Sequence, residues 1–156
     1  GWYSDSDCIN KVADNAELSI SVNSSVHYYA KFVKSSTKVM YFVPNTNWTK
    51  NRNERFAAYV YEKSTGDGKW YSMTEDASHN CYTFTMDASG KYDRIIFSRM
   101  NGSKTENSWD NEWNRTPGTH GGKVEGIAIP TDGTNCFVQG TENNGWDNCG
   151  GSWSTK

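Results

Sequence analysis

The chain has 156 residues, a formal net charge of -2, 14% aromatic residues and abundant Gly, Ser, Thr and Asn. That balance offers no basic stripe of the kind that nucleic acid or an anionic membrane demands, and no apolar run of about 18 residues is present to form a membrane-crossing helix. Scarce aliphatics beside many β-formers and turn residues predict a single all-β domain with an appended segment.

Residues 1–15 are polar and read as a solvated terminus; Ser4 to Asp7 lack the remaining ligands of a calcium loop. Leu18, Ile20 and Val22 then alternate with serines, and Val26 to Val33 follows after a polar break, which predicts a hairpin. His27 in that second strand has no nucleophile or carboxylate pattern around it and reads as structural. Val39 to Val43 is a continuous apolar run suited to a sandwich interior, ended by Pro44. Trp48, in the polar loop beyond, reads as a cap on the core or as a ligand contact.

The most informative strand is Arg55 to Glu62: Phe56, Ala58 and Val60 fall on one face, and Ala57, Tyr59 and Tyr61 on the other. A glycine turn follows and Trp70 returns on the next strand, so Tyr59, Tyr61 and Trp70 are expected side by side, either as a flat receiving surface or as cross-strand packing. Cys81 to Met86 alternates with Tyr82, Phe84 and Met86 together. Ile95 and Phe97 alternate with Ile96 and Ser98 as in a half-buried strand. That strand runs into a loop where Trp109 and Trp113 stand among polar residues, each a local plug or a ring held out for a partner. Val124 to Ile129 and Cys136 to Val138 are the last expected strands, followed by a Gly, Asn and Trp tail through Trp146 and Trp153.

Four cysteines allow three pairings. Cys136 and Cys149 flank a loop that a disulfide would staple, leaving Cys8 for Cys81, and free buried cysteine is the competing reading. Their spacing fits no zinc site. Glu62, Asp67, Asp76, Glu106, Asp110 and Glu112 sit in turns or Asn-rich loops, where acidic residues favour solvent and turn geometry rather than glycosidase acid/base work. With no nucleophile elbow, Cys/His pair, phosphate loop or metal motif, no catalytic residue, metal or cofactor is expected. Aromatic faces in polar loops match the C–H faces and hydroxyl rims of sugars, which favours carbohydrate binding over an immunoglobulin-like protein-interaction or adhesion domain.

The strings YFVPNTNW, RFAAYVYE, KWYSM, DRIIFSRMN, NSWDNEWNRT and TNCF followed by GSWST resemble the family 25 and family 26 starch-binding modules attached to secreted amylolytic and starch-adherence proteins of gut bacteria. The likeness covers Lys38 to Thr155. It implies an antiparallel, immunoglobulin-like β-sandwich over residues 38–156 with Trp-rich loops; residues 1–37 lie outside the likeness and are expected to form an extension whose hairpin packs on the sandwich. It also implies extracellular, non-catalytic binding of α-1,4-linked glucan by a monomeric module joined to other domains. By position, Tyr59 or Tyr61 with Trp70 would form a curved platform. Polar contacts would come from the stretch Arg99 to Trp113, with Arg99 and Asn101 among the binding residues, while Trp109 and Trp113 would supply a third ring or close the loop. In place of the short Asn-Gly run and Gln-Thr common in those modules, this chain carries a longer Trp-containing stretch ending Asn114-Arg115-Thr116.

Overall fold

The computed structural model describes residues 1–13, 25–30, 37–50, 53–119 and 124–156. The chain divides into two compact units, Gly1–Ser35 and Ser36–Lys156. In the first, β1 (Trp2–Tyr3) lies between β2 (Lys11–Ala13) and β3 (Tyr29–Ala30). The opening residues are therefore a hairpin rather than a solvated tail, because Asp5 accepts hydrogen bonds from the Ile9 and Asn10 amides and closes the turn. Most of the hairpin expected between Leu18 and Val33 lies outside the described residues.

The second unit is an all-β sandwich. One sheet has the order β13-β12-β4-β8-β7, and the other β10-β9-β5-β6 with β11 also on β9. Their ranges are β4 Thr37–Val43, β5 Glu54–Tyr61, β6 Gly68–Ser72, β7 Thr74–Asp76, β8 Cys81–Asp87, β9 Arg94–Asn101, β10 Glu112–Arg115, β11 Ile127–Ala128, β12 Cys136–Gln139 and β13 Gly151–Ser154. The pairings are antiparallel apart from β12 beside β4, which is parallel. The chain changes sheets between β6 and β7 at Met73, whose amide donates to the Phe56 carbonyl and whose side chain packs on the core.

Strand pleating decides what the core contains. Met40 and Phe42 from β4, Phe84 and Met86 from β8, and Phe137 from β12 meet Phe56, Ala58 and Val60 of β5 and Ile95 and Phe97 of β9. Phe42 and Phe97 stack at 4.5 Å, and Phe137 stacks on Phe97 at 5.3 Å, so aromatic contact spans the two sheets. Trp48 is fully buried and closes one end of this core, its Nε1 donating to the Trp146 carbonyl. The run Val39 to Val43 is buried on one face only, since Val39 is 42% exposed. β9 departs the other way: Ile95 to Met100 are all buried, because the segment around Thr116 and Gly118 covers its second face.

All four cysteines are free thiols, and the expected Cys136–Cys149 staple is overturned by where the two residues lie within the second unit. Cys136 pairs with Ser154 at one end of the β12–β13 ladder, whereas Cys149 lies beyond Gly151 at the other. At about 3.4 Å per residue that separation exceeds the ~7 Å that a disulfide spans between Cα atoms. The expected strand Val124 to Ile129 is reduced to β11, because the Gly126 amide turns out of the ladder to the Tyr61 hydroxyl.

Candidate functional site

Of the aromatic residues singled out in the sequence, those outside the main core gather in two clusters, one on the outer face of β5 and β6 and one around Arg99. On the outer face of the second sheet, register places Tyr59 opposite Trp70 on one side and Ile96 on the other. Tyr59 lies 5.9 Å from Tyr61, 5.1 Å from Trp70 and 5.0 Å from Trp109, and the two indoles are 4.6 Å apart, inclined at 58°. The structure thus joins Trp109 to the Tyr59, Tyr61 and Trp70 group. It does not leave the tyrosines open: Tyr59 is 8% and Tyr61 4% exposed, while Trp70 and Trp109 are half-buried above them. The phenols form a floor and the indoles are the accessible part.

Close approach of backbone explains why the floor is so tight. Gly68 stands opposite Tyr61, and a Cβ on it would lie 2.5 Å from the Tyr59 ring. Gly118, at φ +139°, passes so near Ile96 that a Cβ would lie 2.6 Å from that side chain. The Tyr61 hydroxyl accepts the Gly126 amide at 2.7 Å, which ties a remote loop over the sheet. Burial pushes the Tyr59 phenol pKa up, with Asp67 adding to the shift, so the phenol stays protonated.

Trp109 opens a single 3-10 turn, Trp109–Asn111, and two arginines place it. Arg55 holds the preceding segment: its guanidinium donates to the Lys104 carbonyl at 2.6 Å, to the Glu106 carbonyl and to the Asn107 side chain. Asn107 in turn donates to Ser72 on β6 at 3.0 Å. Arg115 lies over the indole at 4.8 Å and is ion-paired with Glu112, which also accepts from the Ser98 hydroxyl. Burial pushes the Glu112 carboxyl pKa up, against the opposing pull of Ser98 and Arg115. Neither Arg55 nor Arg115 was singled out from the sequence. A planar donor fork beside a strand start is the local signal for Arg55, but its acceptors lie roughly fifty positions away.

The second cluster is built on Arg99, which is 4% exposed. Its Nε donates to the Trp48 carbonyl at 2.8 Å and its Nη1 to Asn114 at 3.2 Å. Trp113 lies 4.7 Å and Trp146 5.7 Å from the guanidinium carbon, and these rings are 39% and 37% exposed. The Trp146 loop is fastened by Asn47 donating to the Asn144 carbonyl at 2.7 Å and by Asp147 accepting the Arg115 amide at 3.1 Å. Asn101 belongs to neither cluster; its side chain accepts the Ser103 amide in the turn after β9. Trp153 packs on Phe137 at 5.2 Å and donates to the Ala128 carbonyl, which makes it part of the core margin.

Of the carboxylates weighed for acid/base chemistry, Glu62 and Asp76 accept from neighbouring side chains in their own turns. Among the described residues no three His, Cys, Asp or Glu side chains converge as a metal site. The arrangement is suited to contact through ring faces flanked by fixed guanidinium and amide groups. No protein-family model matches this chain, and neither the curated proteins nor the solved structures contain a match to it.

Proposed function

We propose that this chain is a non-catalytic module that binds α-1,4-linked glucan on the outer face of its second sheet, as part of a larger extracellular protein. The observation that carries the reading is the Trp70–Trp109 pair: two half-buried indoles inclined at 58° on a rigid tyrosine floor. Rings fixed in advance lose little entropy on contact, and their inclination suits a curved chain better than a flat one. The resemblance of residues 38–155 to starch-binding modules points the same way. Affinity from one such face is modest and is raised by neighbouring modules on the same polypeptide.

The test is affinity electrophoresis through starch, glycogen, β-glucan and xylan against an empty gel. Starch and glycogen should retard the protein, and Trp70→Ala with Trp109→Ala should weaken retention about tenfold or more, the loss expected of a central aromatic contact. Retardation by a β-linked polymer instead, or undiminished retention by the folded double variant, overturns the assignment.

A further inference from the structure

At the end of the sandwich, remote from the tyrosine floor, Glu54 begins β5 with its side chain 4% exposed. Its Oε2 faces Arg99 Nη2 at 3.6 Å, and neither atom has a hydrogen-bond partner. A buried carboxylate oxygen without a donor is uncommon in a folded protein and calls for a group that completes it. Glu54 also lines a cleft of about 520 Å³ with Thr46, Thr49, Glu75, Asn80 and Tyr82. That volume lies within the roughly 300–1,000 Å³ of small-molecule sites.

The lining has the chemistry of a hydroxyl-rich guest. Glu54 and Glu75 only accept, Thr46, Thr49 and Asn80 both donate and accept, and Tyr82 supplies a ring wall, fixed by contact with Phe56 at 4.3 Å. Burial, with Glu75 and Glu54 adding to it, raises the Tyr82 phenol pKa and keeps it a donor. An ammonium guest, which only donates, would leave the threonines and the amide half used, and Arg99 already offsets the charge of Glu54. The terminal carboxylate torsion is soft, so Glu54 can turn an oxygen to an entering hydroxyl.

We propose that this cleft is a second glycan site, separate from the indole pair, that holds a sugar residue through its hydroxyls. The proposal rests on the reading of the chain as a glycan-binding module, and the two sites share no residue. A module with both would hold a polymer at two points and lose only part of its retention when either is removed.

The deciding experiment is a ¹⁵N NMR titration of the 156-residue chain with maltotriose. Amides of Thr46, Thr49, Asn80 and Tyr82 should shift along one saturation curve, distinct from that of the Trp70 and Trp109 indole N–H signals. Glu75→Ala, at an exposed position, should weaken the cleft curve about fivefold and leave the indole curve unchanged; Tyr82→Phe should act in the same direction. Indole shifts without cleft shifts overturn the second site and leave the first. Cleft shifts alone support the second site while overturning the first, and a silent spectrum overturns both. A cleft that ignores maltotriose but responds to spermidine in a salt-dependent way overturns the sugar assignment.

Discussion

In one aromatic cluster ring packs on ring, and in the other rings pack on a guanidinium. Tyr59, Tyr61 and Trp70 come from neighbouring strands, where the pleat sets side chains about 5 Å apart on one face, so each covers the next and Tyr59 is left 8% exposed. Trp113 and Trp146 come from an edge strand and a loop, with no such lattice beneath them. They are held by Arg99 and remain 39% and 37% exposed. The same residue types thus become floor or surface according to what orders them, and an exposed indole needs a scaffold from elsewhere in the chain.

The sharpest way to break that contrast is Arg99→Ala. It removes the bonds to the Trp48 carbonyl and Asn114 and leaves Glu54 buried without its counter-charge, so a loss of about 3–5 kcal/mol is expected. Urea denaturation measures it, and a red shift in tryptophan fluorescence should accompany it; a loss below about 1 kcal/mol would mean that the guanidinium is not the scaffold. Tyr61→Phe tests the other cluster more gently, since it strands the buried Gly126 amide and should lower stability by about 1–3 kcal/mol. Faster hydrogen exchange at Gly126 is the accompanying signature, and unchanged exchange would show that the loop is tied down by something else.

The smallest effect is a pH slope, and it belongs to Glu112 at the start of β10. Its folded carboxyl pKa is raised above the ordinary 4.5. Between those two values the folded protein still holds a proton that the unfolded chain has released, so this group's contribution to stability is greatest below 4.5 and declines as pH rises through the folded value. Glu112→Gln should flatten that decline in melts taken at successive pH values. A slope identical to the parent's would mean that Ser98 and Arg115 offset the burial fully.

Those tests fall on features of unequal legibility. Phe56, Ala58 and Val60 against Ala57, Tyr59 and Tyr61 could be read directly, as could Tyr82, Phe84 and Met86, because a period of two is written in neighbouring letters. The glycine turn before Trp70 was visible for the same local reason, Gly66 having positive φ. By contrast, β13 was hidden in a Gly- and Trp-rich tail, since Gly151 to Ser154 become a strand only by pairing with β12.

The sequence by itself determined the all-β class, the two faces of β5 and the gathering of Tyr59, Tyr61 and Trp70. Only the tertiary structure decided that the tyrosines are covered, that Trp109 joins them while Trp113 goes to Arg99 and Trp146, that all four thiols stay free, and that Glu54 meets Arg99 beside a cleft. Pleat and turn preferences act over a few residues. Burial, by contrast, depends on which distant segment arrives to cover a face, and that is fixed by the folded chain as a whole.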